Sequence, residues 1–212
     1  MTRGRFITLE GGEGVGKTSS LDCIRELLEG WGIDVVATRE PGGTRLGERL
    51  REVILGADDV CPEAELLMIF AARVQHVRQT IQPALAAGRW VLSDRFTDAS
   101  YAYQGGGRGL SDLTIRCLEE RMMDRLEPDL TFLLDAPVEV GLMRARSRGA
   151  MDRFESEGAN FLDRVRRAYL ERAKRFPDRI IVINAGHSAE EVRLDLVAQL
   201  QNRFGNEYGC HR

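Results

Sequence analysis

The stretch Gly11-Gly12-Glu13-Gly14-Val15-Gly16-Lys17-Thr18 constrains this chain more than any other. It fits G-x-x-x-x-G-K-[ST], in which glycines let the backbone curl until successive N–H groups point at one anion. Its surroundings complete the motif. Arg5-Phe6-Ile7-Thr8-Leu9 before it reads as a short buried strand. From Thr18 to Glu29, Leu21, Ile24, Leu27 and Leu28 recur at helical spacing. Strand, glycine-rich turn and helix together aim a helix N-terminus at a phosphate chain. The loop is therefore expected to hold a nucleoside triphosphate, with Lys17 reaching the β- and γ-phosphates and Thr18 offering its hydroxyl to Mg²⁺.

A chain of 212 residues suits one α/β domain and can bury a core without staples. The net charge of −3 gives no global electrostatic case for nucleic acid or for an anionic membrane as partner. Cys23, Cys61, Cys117 and Cys210 are scattered without C-x-x-C spacing, and His76, His187 and His211 make no ligand pattern. Reduced thiols and a cytoplasmic location are expected. The first residues run straight into the strand, so no signal peptide is read, and no apolar run approaches membrane-spanning length.

The rest of the chain alternates strands with helices. Gly30-Trp31-Gly32 ends the first helix, and strands are expected at 34–38, 90–92, 130–134 and 180–183. Helices are expected over about 46–55, 62–87 (bent near Pro83), 100–104, 111–126, 138–146, 160–176 and 190–204, with a mobile glycine loop at 105–109 and a frayed tail at 205–212. This order implies a parallel sheet covered on both faces, with ligands beyond the C-terminal strand ends. The P-loop, Arg39 to Thr44 and Asp94-Arg95 should then surround one crevice.

Absences narrow the class. There is no Asn-Lys-x-Asp guanine-reading motif and no Leu-Ser-Gly-Gly-Gln signature. What is added is arginine: Arg39, Arg45, Arg51, Arg73, Arg95, Arg108, Arg144, Arg146, Arg148 and Arg153. Arginine suits bidentate phosphate recognition, and two facing nucleotides would use many of them. Arg73 borders the apolar stripe Leu66, Phe70, Val74, Val77 and Ile81, one turn from Phe70. Spacing alone leaves open whether it snorkels to water or meets a planar base.

Six segments along nearly the whole length carry a resemblance: the P-loop with Glu13 inside it, Thr38-Arg39-Glu40-Pro41-Gly42-Gly43-Thr44, Ala71-Ala72-Arg73, Asp94-Arg95-Phe96, Tyr103-Gln104-Gly105-Gly106-Gly107-Arg108-Gly109 and Asp152-Arg153-Phe154-Glu155. In these the chain resembles the bacterial thymidylate kinases. The resemblance implies a three-layer P-loop fold with a five-stranded parallel sheet in the order 2-3-1-4-5 and an Arg-rich lid at about 141–158. It implies phosphorylation of dTMP to dTDP with ATP and Mg²⁺, in a homodimer; another nucleoside monophosphate kinase is the alternative. Glu13 matches the residue near the sugar 3′-hydroxyl, Arg51 and Arg95 the grip on the dTMP phosphate, and Arg73 the contact to the thymine carbonyl. Ser100 and Gln104 match residues at the base edge. Tyr103 matches an aromatic under the sugar, placed to disfavour a ribose 2′-hydroxyl. The family's stacking aromatic often lies four residues before the base-reading arginine. Here that position is Ile69, and Phe70 is the expected substitute.

Arg144 to Arg153 is the densest basic run and, by resemblance, the lid over ATP. One branch of the family carries an arginine at the position of Gly14. Gly14 here implies that Arg148 or Arg153 supplies the catalytic charge, with Arg144 nearby on ATP. Asp94 is expected to orient Arg95 or a magnesium-bound water, and Glu10 to act as indirectly.

Overall fold

The computed structural model describes residues 3–57, 59–146, 153–154 and 157–208. In chain order the elements are β1 (Phe6–Gly11), α1 (Lys17–Gly30), β2 (Val35–Arg39), α2 (Arg45–Gly56), α3 (Pro62–His76), α4 (Gln82–Ala86), β3 (Trp90–Asp94), α5 (Thr97–Ser100), α6 (Asp112–Met122), β4 (Leu130–Asp135), α7 (Val138–Arg146), α8 (Ala159–Arg175), β5 (Ile180–Asn184) and α9 (Ala189–Tyr208). The five strands lie in the order β2-β3-β1-β4-β5, all parallel. The parallel sheet is the one the alternation implied, and its strand order is the one the resemblance implied.

The three central strands β1, β3 and β4 are short, largely apolar runs buried on both faces, as a parallel sheet under helices requires, while the edge strands β2 and β5 are only partly buried. β1 is buried along its whole length. One apolar cluster, including Ile7, Leu9, Ile24, Leu28 and Phe132, joins the sheet to α1 and α9. On the other face Phe6, Leu66, Phe70, Ile81 and Phe96 pack under α3 and α4, while Tyr103, Phe161, Val165 and Tyr169 join α8 to the segment after α5. Register aligns the C-terminal strand ends: Leu9 pairs with Asp94, and Arg39 also pairs with Asp94.

The structure differs from the sequence expectations in three places. The long helix from Pro62 changes type before Pro83. It passes through a π-helical turn at Val77–Ile81, where the Gln82 N–H reaches the Val77 carbonyl. A π-turn shifts the hydrogen-bond ladder where proline supplies no N–H. The expected glycine loop is no loop: Tyr101–Gly107 form a second π-helical segment continuing α5. Gly105 and Gly107 are buried, and a Cβ on Gly106 would sit 2.5 Å from the Ala168 Cβ, on Gly107 2.6 Å from the Phe161 ring. Absent side chains let this segment lie directly on α8. Finally, 205–208 belong to α9, and Tyr208 packs edge-on against Trp90 at 5.3 Å; 209–212 lie outside the described residues. Among the described residues, no helix is long and apolar enough to cross a membrane.

Candidate active site

The crevice forms where β1, β2 and β3 end. A cavity of about 700 Å³ there is lined by the P-loop from Glu13 to Thr18 and by residues of the 39–41 loop, α2, α3, β3 and the π-helical segment. Gly14 and Gly16 take left-handed backbone (φ 67° and 90°), which opens the loop toward the cavity. A Cβ on Gly14 would fall 2.0 Å from the Gly141 carbonyl of α7, so an arginine has no room at this position. Lys17 Nζ bonds the carbonyls of Gly12 (2.7 Å) and Gly11 (3.3 Å), folded against the loop that it serves. Burial, with the nearby Arg95 charge, lowers its pKa, and Glu13, Asp94 and Glu10 work the other way.

Arg95 joins the loop to the rest of the site. It has φ 70°, an uncommon backbone for a residue with a side chain, and it follows β3 directly. Its N–H is fixed by the Leu9 carbonyl at 2.8 Å. The turned backbone sends the guanidinium across β1. There it donates to the Gly11 carbonyl (2.8 Å), Tyr169 Oη (3.0 Å), Glu13 Oε1 (2.6 Å) and Tyr103 Oη (3.0 Å). Tyr103 in turn donates to Glu13 at 2.5 Å, and its ring lies beneath the guanidinium at 4.8 Å. Glu13, Arg95 and Tyr103 thus form one hydrogen-bonded cluster.

Arg73 is buried, 2% exposed, so it does not snorkel to water. Its guanidinium lies over the Phe70 ring at 4.9 Å. It donates from Nε to Glu40 Oε2 (2.5 Å), from Nη1 to Ser100 Oγ (2.8 Å) and from Nη2 to the Phe96 carbonyl (2.9 Å). Arg73, Ser100 and Gln104 all line the cavity. Phe70 does not: it is 3% exposed, belongs to the core, and supports Arg73 from behind, while Ile69 forms the wall. Side chains three and four before Arg73 point to different sides of it, so the substitution expected for Phe70 is not the one the structure makes.

Other expected residues divide. Arg51 lines the cavity and donates to the Pro41 carbonyl at 3.1 Å. Arg144 lines it as well and donates to the Ala185 carbonyl at 2.8 Å. Arg153 is turned elsewhere, toward Glu65 (3.0 Å) and the carbonyls of Ile54 and Val60. Phe154 beside it lines the cavity. Arg148 lies outside the described residues. Asp94 lines the cavity, and its buried Oδ1 has no hydrogen-bond partner among the described residues. Thr18 opens onto the same space. A hydroxyl and an unsatisfied carboxylate oxygen on one cavity wall suit a hard cation carried in by phosphates. No group of three or more acidic, histidine or cysteine side chains among the described residues could cage a metal unaided.

Sequence reasoning missed the residues behind the site. Glu40, given no role of its own within its motif, is 3% exposed and holds both Arg73 and His76 (Nδ1 to Oε1, 2.9 Å). His76 Nε2 meets the Thr38 hydroxyl at 2.7 Å. Tyr169, on a helix that reads as an ordinary amphipathic one, donates to Glu10 Oε2 at 2.8 Å, and Phe96 N–H donates to Oε1 at 2.7 Å. Burial raises the Glu10 carboxyl to about 8, and the Asp98 charge adds to this. Burial opposes the charge on Asp98, yet Arg179 and Arg172 hold its pKa below the ordinary value. Glu65 had a signal: it stands eight residues before Arg73, on the same helical face.

Comparison with known proteins accords with this geometry. A family model described as thymidylate kinase matches residues 9–196. A thymidylate kinase of Pseudomonas putida (strain GB-1) is 55% identical over 199 residues, covering 93% of this chain and 95% of the relative. One of Methylococcus capsulatus is 53% identical over 202 residues, covering 95% and 97%. The crystal structure of thymidylate kinase from Ehrlichia chaffeensis has a TM-score of 0.77 to this chain at 33% identity, covering 94% of this chain and 99% of that one. With the P-loop, the Arg95 cluster and the buried Arg73 in place, the chain belongs to the thymidylate kinase family.

Proposed function

We propose that the chain performs the reaction its family is named for, transferring the γ-phosphoryl group of ATP to the phosphate of dTMP, with the labour divided as follows. The single observation that carries this is Arg95. One guanidinium touches the P-loop carbonyl at Gly11 and the acceptor-side pair Glu13 and Tyr103. A cation so placed sits between donor and acceptor phosphates, where charge builds in the transition state.

The thymine lies against Ile69 with its edge toward Arg73, Ser100 and Gln104. The sugar lies over Tyr103, its 3′-hydroxyl toward Glu13. Arg51 and Arg95 grip the acceptor phosphate. The P-loop N–H groups and Lys17 hold the ATP phosphates, with Arg144 at the nucleotide's far side. A phosphate nucleophile is already ionised, so positioning and charge neutralisation suffice without a general base. Thr18, with Asp94 through water, would hold Mg²⁺, which when bound neutralises charge on the transferred group. The remaining catalytic charge comes from the lid: Arg148, or Arg153 released from Glu65. Gly14 supports this, because Gly141 fills the space that a P-loop arginine would need.

A homodimer in the cytoplasm belongs to the same proposal. Helices α2 and α3 pack together and expose Leu46, Val53 and Leu67, and Cys23, Cys61 and Cys117 are free thiols. A coupled ADP-release assay with dTMP, dUMP, dCMP, dGMP and thymidine tests the acceptor. The highest kcat/KM is expected for dTMP; a higher value for any other acceptor overturns the reading.

A further inference from the structure

Two of the three side chains at the base edge are backed by a buried acid: Arg73 by Glu40 and Gln104 by Glu65. Glu65 has no exposed surface. Its Oε1 accepts from Gln104 Nε2 at 2.8 Å. Its Oε2 lies 3.0 Å from Arg153 Nη1 and 3.2 Å from Arg108 Nη2, and Arg108 Nε is 3.3 Å from Oε1. A carboxylate ringed by guanidinium groups accepts hydrogen bonds and offers none. Gln104 must therefore turn its NH₂ inward, which leaves Oε1 as the amide atom available on the cavity side. Among the described residues nothing donates to that oxygen.

Arg73 contributes the opposite polarity. Its bonds to Glu40, Ser100 and Phe96 leave further N–H groups of the guanidinium for the cavity it lines. The wall thus presents a donor from Arg73 beside an acceptor from Gln104. A 4-oxo pyrimidine, with a carbonyl next to N3–H, complements that pair. A 4-amino pyrimidine sets its amino group against Arg73 and its N3 lone pair against the Gln104 oxygen.

We propose that Glu65 is a specificity-determining positioning residue: by fixing the Gln104 amide, it makes the site accept the imide edge of thymine and reject the amino edge of cytosine. The inference rests on the dTMP reading above. Glu65→Gln tests it. The new side chain keeps its carbonyl toward Arg153 Nη1 and Arg108 Nη2, so its NH₂ takes the place of Oε1 and gives up only the 3.3 Å contact from Arg108 Nε. Gln104 then turns its own oxygen inward and its NH₂ to the cavity. In steady-state assays the ratio of kcat/KM for dTMP over dCMP is expected to fall about tenfold or more, the scale of one mispaired buried polar group. The change should appear in KM for dTMP, with KM for ATP as internal control. The double variant Glu65→Gln with Gln104→Glu should recover most of the ratio, because a carboxylate at position 104 would accept on either side. If Glu65→Gln is too unstable to assay, calorimetric titration of the double variant with dTMP and dCMP decides alone. Equal losses for both acceptors, leaving the ratio unchanged, would show a merely structural role and overturn the proposal. So would a double variant that does not prefer dTMP. A wild-type enzyme that does not prefer dTMP to dCMP would instead remove the acceptor assignment itself.

Discussion

Replacing Glu10 by glutamine should flatten one part of this protein's dependence of stability on pH. Glu10 ends its side chain between the Phe96 N–H (2.7 Å) and the Tyr169 hydroxyl (2.8 Å), with no exposed surface. Burial and the Asp98 charge lift its carboxyl from the ordinary 4.5 to about 8, against the pull of Arg95 and the two hydrogen bonds. The folded chain therefore binds this proton more tightly than the unfolded chain. Its contribution to stability is complete below pH 4.5 and is lost as pH rises through about 8. At about 1.4 kcal/mol per tenfold change in the proton equilibrium, the span between the two limits is on the order of 4–5 kcal/mol. Glutamine keeps the shape, still accepts from Phe96 and still meets the Tyr169 hydroxyl, but carries no charge at any pH. Urea unfolding of both proteins at pH values from about 5 to about 9 measures the difference. The variant should gain on the wild type up to about pH 8 and then level off, by several kcal/mol in all. A stability difference that is the same at both ends would refute the account of a carboxyl held neutral by burial.

Three further expectations concern single contacts. Lys17→Ala should reduce kcat by about 10²–10³ in the coupled assay, the usual loss for a transition-state charge contact, while calorimetry still detects dTMP binding; unchanged turnover would misplace the phosphate site. His76→Leu removes the donor to Glu40 and should raise KM for dTMP more than KM for ATP, with partial recovery in His76→Asn, which keeps a donor near the Nδ1 position; equal changes in both KM values would count against it. Gly106→Ala drives a methyl into Ala168 and toward the Arg164 carbonyl 3.0 Å away, and should cost about 1–3 kcal/mol in thermal unfolding; a wild-type melting temperature would mean that the two helices separate freely.

The sheet was readable from the sequence because buried parallel strands are apolar runs and the P-loop fixes where the first one ends. The same logic, with the family's motifs, placed Arg51, Arg73, Arg95, Ser100, Tyr103 and Gln104 around one cavity. Failures came where residue type and environment disagree. Gly105-Gly106-Gly107 reads as a flexible turn, since glycine has the most backbone freedom. It is instead a helical surface stripped of side chains, a role that depends on what lies opposite in α8. Phe70 and Ile69 differ by one position on a helix, about 100° of rotation, and only packing against Phe6 and Phe96 settles which one faces the core. Glu40, Glu65, Tyr169 and His76 are polar residues buried by tertiary contacts, and local periodicity carries no record of their partners.

The glycine seam between the π-helical segment and α8 has a consequence for how the acceptor pocket can change. On one side of the seam stands Gln104; on the other, Tyr169 touches Arg95. The seam is thus a gauge that sets the distance between Gln104, the proposed reader of the base, and Tyr169, which supports Arg95, the proposed grip on the phosphate. Widening it to admit a bulkier base would also carry Tyr169 away from Arg95 and slacken the phosphate end. Altered base preference is therefore more readily obtained by changing polarity inside the gauge than by changing its width.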